Sequence, residues 1–464
     1  MAESARASRD YDVIVVGAGG AGLAAASAAA DAGARILAID AAPKVGGSTA
    51  LSGGVFYAAG TSVQRSAGVV DTPDDQFRYY MNANQHKLAP AIVRRLCDEG
   101  ADTLEWLISL GVRFPESNLY VSGVDGVRRG HRAEGHGAEI AAALEGSLSG
   151  KSVDIATSTR VRDLIIDDAG RASGVRIDGQ DVSAGAVVIA SGGFGANPRL
   201  LAELYPDATR HPDLAWYIGS SFCRGDGLEM ARAVGADVAA VNKGLLLLTP
   251  GFARELETYL PGWVVHVNHE GRRFINESTE YSVLASVLKE QTAGECFAIF
   301  DEKSRAASRS TPAPNWAADR LAHFIETGHI ARADTLAELA DKIGVREETL
   351  ATTIETYNAG CDRGRDECFF KKPELLQPVR TPPFHAARIR PAIICWTGTG
   401  LRIDREARVL TKADRPIAGL FAAGEATGGA FGECYAGGGA SIANAIIFGR
   451  AAGRNAAAFA RMAS

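Results

Sequence analysis

Three glycines and one acid near the N-terminus have the types and spacing of a dinucleotide-binding turn. The segment YDVIVVGAGGAGLAAASAAA reads as an apolar strand, then Gly17, Gly19 and Gly22, then an alanine-rich helix. Backbone amides of such a turn, with a helix N-terminus behind them, can bind a pyrophosphate. Asp40 ends the next apolar segment, ARILAID, where a ribose hydroxyl needs an acceptor. The pattern predicts a bound dinucleotide; a tight glycine turn without a ligand would use the same residues.

Two other glycine-rich loops could contact the same ligand. GGSTALSGG at 46–54 places small and hydroxyl residues where backbone must pass close to a flat ring or a pyrophosphate. GLFAAGEATGG, near the C-terminus, presents Glu425 just after an apolar segment. Ordinary turns also use such residues, and Glu425 alone could be a surface acid. The sequence therefore places candidate ligand-binding loops at both ends of the chain.

Length and charge limit the class of protein. At 464 residues the chain is about three times a typical domain of roughly 150 residues, which predicts at least two units. It carries 49 basic and 55 acidic residues, so the net charge is 49 − 55 = −6, and no basic run stands out. A nucleic-acid partner is therefore not expected. An enzyme acting on a small molecule fits this composition.

Cysteine spacing and hydropathy limit the kind of site and the cellular compartment that we expect. The seven cysteines are scattered and form no CxxC pair, which argues against a disulfide framework or a zinc site. No metal is expected, and a reducing, cytoplasmic location fits best. No run of 18 apolar residues occurs, so no membrane span is predicted.

The elements that must position these loops follow a nucleotide-binding order. Residues 13–40 predict strand, helix and strand, and 151–195 predict further strands of the same sheet. A helical insertion is predicted over 73–114. From about residue 243 the composition changes to prolines, aromatic residues and charged helices. One predicted helix begins with a capping box from Thr335 to Glu338. We expect a discontinuous domain, 1–242 and 386–464, with a second domain, 243–385, inserted.

Several of these segments together resemble one flavoprotein superfamily. The two glycine loops, ASGGFG at 190–195, RGDG at 224–227 and the GEATGG tail are similar to those of the fumarate reductase and 3-ketosteroid dehydrogenase superfamily. The likeness spans nearly the whole chain. It implies an α/β fold in which a Rossmann-like FAD-binding domain carries an inserted α+β capping domain that contributes to the substrate site.

The resemblance implies FAD as the cofactor. Because the 46–54 loop has no histidine that could bond covalently to a flavin, noncovalent binding is expected. Glu425 would accept from ribityl or ribose hydroxyls. The full predicted set of FAD-binding residues is Gly17, Gly19, Ala21, Gly22, Asp40, Gly47, Ser48, Thr49, Gly53, Gly54, Val161, Ala190, Gly193, Asp226, Glu425, Ser441 and Ile442.

Three positions indicate the branch within the superfamily. Fumarate reductases resemble NESTEY and CYAGGG but place arginines where Tyr281 and Tyr435 stand, and they place a histidine in the stretch where this chain has Trp396. Fumarate is a dianion that needs cationic partners once it loses water. Aromatic residues at these positions favour an uncharged ring. The resemblance is therefore closest to the cyclic ketone dehydrogenase branch, with Trp396 lining the substrate site.

GHRAEGHG is an exception to this uncharged picture. It places His131 and Arg132 where fumarate reductases have a similar segment whose histidine contacts a substrate carboxylate. His131 is therefore a candidate substrate-binding residue, for a carboxylate on an otherwise neutral ring. The segment could equally be a solvated loop.

The resemblance also implies roles in catalysis. Desaturation of a ketone needs donors at its oxygen, a base at the α carbon and a hydride acceptor at the β carbon. By similarity to the ketosteroid Δ1-dehydrogenases, Tyr435 and the Gly439 amide would polarise the carbonyl, and Tyr281 would remove the α proton. Tyr120, or else Tyr217, would support Tyr281 as a base.

Two alternatives stay open. One is an ene reductase that runs the chemistry backwards, like fumarate reductase, on an unsaturated ketone or acid. The other is a flavin-binding protein without turnover, whose aromatic residues only pack. Because no CxxCH haem site or fused flavin domain is evident, a separate electron-transfer partner is expected.

Overall fold

Buried aliphatic runs form the strands of this computed structural model, which describes residues 9–256, 259–311 and 313–462. In chain order the strands are β1 (Tyr11–Val16), β2 (Ile36–Ile39), β3 (Val55–Tyr57), β4 (Leu119–Val121), β5 (Arg128–Arg132), β6 (Val153–Ala156), β7 (Val161–Ile166), β8 (Ala172–Ile177), β9 (Gln180–Ile189), β10 (Trp216–Tyr217), β11 (Val238–Ala239), β12 (Gly244–Thr249), β13 (Val265–Val267), β14 (Cys296–Asp301), β15 (Ile330–Ala333), β16 (Phe384–Thr397), β17 (Gly400–Leu401), β18 (Arg408–Leu410) and β19 (Pro416–Ala422).

Helices occupy much of the chain between these strands. They are α1 (Gly20–Asp31), α2 (Gly47–Leu51), α3 (Ser62–Ser66), α4 (Pro73–Ala83), α5 (Pro90–Asp98), α6 (Gly100–Ser109), α7 (His136–Gly146), α8 (Pro198–Leu204), α9 (Asp226–Ala233), α10 (Tyr281–Lys289), α11 (Glu302–Ala307), α12 (Ala318–Glu326), α13 (Leu336–Ile343), α14 (Glu347–Asp362) and α15 (Ala440–Met462). The predicted helical insertion over 73–114 is confirmed as α4, α5 and α6.

The chain divides into two compact units. Unit 1 comprises Met1–Asp207, Gly219–Leu245 and Cys395–Ser464, and unit 2 comprises Ala208–Ile218 and Leu246–Ile394. The segment from 208 to 218 falls in unit 2, outside the predicted bounds 243–385, because β10 pairs in parallel with β16. A two-residue strand leaves no periodic signal in the sequence.

Unit 1 is built on a sheet with the strand order β18-β19-β9-β1-β2-β6, and β7 and β8 extend it through β9. β1 lies in parallel between β2 and β9, with Val15 opposite Ala38 and Val188. This arrangement confirms the predicted strand, helix and strand at 13–40. β19 joins the other side of β9, so the C-terminal segment returns to this sheet.

Helices α1 and α15 pack closely in unit 1. A Cβ on Gly449 would overlap the carbonyl oxygen of Ala21 and would lie 3.1 Å from the Ala24 Cβ. The alanine-rich sequence of α1 and the small residues of α15 permit this separation, and most of both helices' facing side chains are buried. Interiors this dense leave little room for an added methyl group.

Unit 2 is a mixed α and β structure around β16. β14 and β15 pair with β16 in antiparallel fashion, and β13 pairs with β14. One core contains the buried Trp316 with Phe252 and Phe324, whose rings stack at 4.4 Å between centroids. At α13, Thr335 Oγ1 accepts from Glu338 N at 3.1 Å, but the Glu338 carboxylate accepts from Asp334 N, so only half of the predicted capping box forms.

Within the described ranges, no helix is both long enough and apolar enough to cross a membrane.

We expect Gly449→Ala to destabilise unit 1, because its methyl group would overlap the backbone of α1. Overpacking of this kind typically costs about 1–3 kcal/mol, and each kcal/mol lowers the melting temperature by roughly 2–4 °C in domains of this size. Gly146→Ala, at the exposed end of α7 where a Cβ has open space, is the matched control. Differential scanning calorimetry of both variants is the measurement, and equal melting temperatures would contradict the packing argument.

Candidate functional site

The two N-terminal glycine loops meet in unit 1. Gly19 and Gly46 form a parallel β-bridge, and Gly46 N donates to Ala18 O at 2.8 Å. The Thr49 side chain lies against Gly20 at the start of α1. The structure thus brings together the residues predicted from both loops, including Gly47, Ser48 and Thr49.

Backbone geometry at the first turn requires glycine. Gly17 has φ +105°, and a Cβ there would overlap the Ala190 carbonyl oxygen. A Cβ on Gly22 would overlap the carbonyl oxygen of Gly17. The turn leads into α1, whose N-terminus has no side-chain cap and no acid in its first turn. Its uncapped N–H groups and positive dipole end fit a pyrophosphate.

Asp40 is fixed beside this turn. Its carboxylate accepts from Ala18 N at 2.6 Å and from Ala42 N at 2.7 Å, one bond on each oxygen. A carboxylate has about four acceptor sites, so capacity remains for a ribose hydroxyl. The bond to Ala18 also ties the end of β2 to the glycine turn, which holds the acid in place.

Glu425 is likewise positioned by backbone and hydroxyl donors. Its Oε1 accepts from Thr397 N at 2.9 Å and from Thr397 Oγ1 at 2.8 Å. A Cβ on Gly193 would overlap Thr397 Oγ1, so a side chain there would crowd both groups. Three segments far apart in sequence thus meet at one carboxylate, which is the arrangement needed to fix an acceptor for a cofactor hydroxyl.

The other predicted FAD-binding residues are distributed through unit 1. Ala190 N donates to Val16 O at 2.8 Å, and Ser48 Oγ accepts from Ser220 N at 3.0 Å. Asp226 begins α9 and pairs with Arg160; its burial raises the pKa of the carboxyl. The remaining positions lie at element starts or in turns of the same unit, namely Ala21, Gly53, Gly54, Val161, Ser441 and Ile442.

Tyr435 is a buried phenol in the loop that precedes α15. Its oxygen accepts from Ser441 N at 2.8 Å, and its O–H donates to Ser441 Oγ at 2.9 Å. The side chain is 7% exposed, and burial raises its pKa above the ordinary value of a tyrosine. Tyr435 therefore keeps its proton at any working pH, and that proton is donated to Ser441 Oγ. Gly439, with φ +99°, lies in the same loop.

Trp396 and Tyr435 share an aromatic cluster in unit 1. Phe431 packs against both, with ring centroids 4.9 Å from Trp396 and 5.3 Å from Tyr435. Tyr120 lies in β4 with the Arg132 guanidinium 5.0 Å above its ring, and it interacts electrostatically with Tyr435. Two predicted catalytic tyrosines and one predicted substrate residue therefore belong to one region of unit 1. Tyr217 lies in unit 2.

His131 is placed differently from the prediction. It lies in β5, is 1% exposed, and bonds through both ring nitrogens: Nε2 to Thr61 Oγ1 at 2.8 Å and Nδ1 to Arg129 O at 2.8 Å. Burial lowers its pKa to about 4. A neutral imidazole with both nitrogens bonded inside the protein stabilises this strand, and contact of His131 with a substrate carboxylate stays a prediction. Arg132, the next residue, is exposed.

Tyr281 is the first residue of α10 in unit 2 and is 9% exposed. Its ring packs edge-on against Tyr259, with centroids 5.6 Å apart. The preceding residue, Glu280, caps α10 by accepting from Ser282 N at 2.7 Å, and burial raises its pKa to about 7. Sequence reasoning missed this carboxyl. Its only signal is an acid directly before the tyrosine in NESTEY.

Residues 12–442 match the family model described as FAD binding domain. The chain belongs to this family. A fumarate reductase (cytochrome) of Shewanella frigidimarina is 30% identical over 475 residues, covering 99% of this chain and 80% of that protein. A vinyl phenol reductase of Lactiplantibacillus plantarum is 28% identical, with 98% of each protein covered.

A solved structure is also similar. The 3-ketosteroid-Δ4-(5α)-dehydrogenase of Rhodococcus jostii RHA1, in complex with 4-androstene-3,17-dione, superposes with a TM-score of 0.81 at 27% identity, covering 98% of this chain and 99% of that one. The predicted superfamily and α/β fold with a capping domain are therefore confirmed. The protein is an FAD-dependent oxidoreductase that acts on CH–CH bonds.

No cluster of three or more His, Cys, Asp or Glu side chains in the described part of the chain is arranged to hold a metal ion.

We expect His131 to make the protein less stable as the pH falls. Its folded pKa, about 4, lies below the ordinary value of 6.5. The unfolded chain therefore binds the proton first, and the stability present above pH 6.5 is lost progressively towards pH 4. The loss should approach about 3 kcal/mol.

The measurement is urea unfolding at several pH values. His131→Gln, which does not titrate, should flatten the dependence between pH 6.5 and 4 relative to the wild type. The matched control is His329→Gln, because His329 is exposed in unit 2. Equal slopes for the wild type and His131→Gln would contradict the buried, neutral assignment.

Proposed function

We propose that this oxidoreductase dehydrogenates a cyclic ketone, of the 3-ketosteroid type or with a smaller cyclohexanone-type ring, to the α,β-unsaturated ketone. The observation that supports it most is the buried, neutral phenol of Tyr435 with Ser441 N–H bonded to its oxygen. The similar Rhodococcus enzyme is named a ketosteroid dehydrogenase, and its structure is a complex with a steroid dione. The reacting ring is therefore uncharged.

Tyr435 serves as the donor to the ketone oxygen. Ser441 N–H donates to the phenol oxygen, which polarises the O–H of Tyr435 and makes it a better donor. In the structure this O–H donates to Ser441 Oγ, so the hydroxyl hydrogen must turn from the serine to the ketone oxygen when substrate binds. Because its pKa is raised, Tyr435 keeps its proton, and it stabilises the developing enolate by a hydrogen bond without proton transfer. No described residue accepts from the Gly439 amide, so this N–H is available as a second donor.

Tyr281, in its phenolate form, takes the proton from the α carbon and becomes a neutral phenol. A base of this kind contributes about 10²–10⁴-fold to a rate. FAD, when bound, supplies the two-electron acceptor for the hydrogen leaving the β carbon. The C–H electrons at the α carbon then form the new double bond. We further propose that Tyr120 supports Tyr281 as a base. A separate protein or small molecule reoxidises the cofactor.

Reduction of an activated double bond is the second candidate. The Shewanella and Lactiplantibacillus relatives both have reductase names, and the latter matches this chain over nearly its full length. The same donors would polarise an unsaturated ketone or acid, and Tyr281 would then return a proton to the α carbon.

Anaerobic mixing of the holoenzyme with substrate tests the direction. We expect a saturated 3-ketosteroid or a substituted cyclohexanone to bleach the visible absorbance of the flavin within the turnover time, with the enone as product. Bleaching by none of these ketones, together with recovery of chemically reduced enzyme by the enone alone, would instead establish the reductase. No response in either direction would contradict both candidates.

Tyr281→Phe should retain FAD and fold but bleach the flavin about 10²-fold or more slowly, because the α proton loses its acceptor. Tyr357→Phe is the matched control, since Tyr357 is a buried phenol of the same unit that bonds to Lys371 and Gln377. Single-turnover rates with a deuterated α carbon are the measurement. Near-wild-type rates in Tyr281→Phe would remove this residue from the mechanism.

A further inference from the structure

Unit 2 contains a cavity of about 410 Å³ that reaches Tyr281. Its wall is formed by described residues of the segments 259–263, 277–284 and 307–313, together with Leu248 and Leu375. Small-molecule sites are typically 300–1,000 Å³, so this volume suits a molecule of polycyclic size. The cavity lies wholly within one unit, so its shape follows from the packing of that unit alone.

Aromatic and aliphatic side chains dominate the wall. Trp263 is held edge-on by Phe300 and Trp316, with ring centroids at 5.6 and 6.3 Å. Tyr259 and Tyr281 form a second aromatic pair. Because these rings are fixed by their neighbours, little side-chain entropy is lost when a flat apolar ligand packs on them.

Among the described residues that line the cavity, only Glu277 and Arg309 carry a charge. Glu277 is buried and already neutralised, since its carboxylate lies 2.9 Å from Lys371 Nζ and 2.7 Å from Arg273 Nη2. Burial opposes its ionisation, but the bond from Arg273 and the charge of Lys371 hold its pKa below the ordinary value. Arg309 is exposed, lines the cavity, and has no ion pair within the described ranges.

We propose that this cavity binds the body of a ring ketone that carries an anionic group, and that Arg309 binds that group at the cavity's edge. The inference rests on the proposed function, because Tyr281 forms part of the wall, and it narrows the substrate class to amphipathic acids. The apolar walls bind the rings, and the carboxylate pairs with Arg309, the one cation among the described lining residues. A guanidinium matches a carboxylate in bidentate geometry.

The test is equilibrium binding to the oxidised holoenzyme by titration calorimetry, with 3-oxochol-4-en-24-oic acid and its methyl ester as probes. The acid should bind the wild type roughly 3- to 5-fold more tightly than the ester, the range for an exposed ion pair. Arg309→Gln should remove this difference, and added salt should weaken only the acid's binding to the wild type. Arg272→Gln, an exposed arginine of unit 2 outside the cavity wall, should retain it.

Tryptophan fluorescence tests the location. Binding should quench the emission of the wild type, and Trp263→Phe should remove most of that response while Trp106→Phe, in unit 1, retains it. Equal binding of acid and ester, no effect of Arg309→Gln, no binding of either probe, or an unchanged response in Trp263→Phe would each overturn the inference.

These outcomes are separate from the direction of the reaction. If the acid binds through Arg309 but leaves the flavin absorbance unchanged, the site stands and the proposed dehydrogenation falls. If saturated ketones bleach the flavin without any dependence on Arg309 or on the carboxylate, the dehydrogenation stands and the anionic substrate class falls.

Discussion

The close approach of helix α1 to its neighbours on two sides is the constraint on which unit 1 depends. On one side Gly22 lies against the Gly17 carbonyl, and on the other Ala21 lies against Gly449 of α15. Because α1 is at van der Waals distance from its neighbours on both sides, it cannot shift along the sheet without a steric clash. Its uncapped N-terminal amides are therefore aimed at a fixed point, and the bond from Ala18 N places the Asp40 carboxylate at that same turn. Amides that are fixed in this way lose little conformational freedom when a dinucleotide binds, which favours its affinity.

The parts of the fold that local chemistry determines could be predicted from the sequence. Gly17 needs a left-handed backbone and Gly22 needs close packing, and both requirements are visible as residue types at fixed spacing. His131 was not predictable in the same way. Whether GHRAEGHG is a loop or a buried strand depends on β5 pairing with β3 and β4, which lie elsewhere in the chain. The segment 208–218 joins unit 2 through two residues of β10, too few to give a pattern. For β5 and β10, pairing with strands far away in the sequence determined the structure more than local strand propensity did.

Tyr435 illustrates how position changes what a residue type can do. An arginine at this position would bring a permanent charge, which is costly to bury unless an anion pairs with it. A phenol costs far less, and here Ser441 satisfies it twice, because its backbone N–H donates to the phenol oxygen and its Oγ accepts the phenol proton. Burial then raises its pKa, which makes it a donor at every working pH and removes it as a base. In the proposed reaction the donor and the base are therefore two different tyrosines, Tyr435 and Tyr281.

Unit 2 separates its structural charges from the charge available for recognition. Lys371, Arg273, Glu277 and Asp366 form a buried set with two cations and two anions, so their charges cancel. A set that is neutral and fully bonded adds rigidity behind the cavity wall but attracts no ligand. Arg309 lies at the exposed edge of the cavity, where water solvates its charge until an anion replaces part of that hydration. The apolar wall then provides most of the binding free energy, and the edge charge mainly sets which end of a ligand enters the cavity. A ketone at the other end of such a molecule is thereby oriented by a contact made far from the reacting carbons, which is how remote binding contributes to a chemical step.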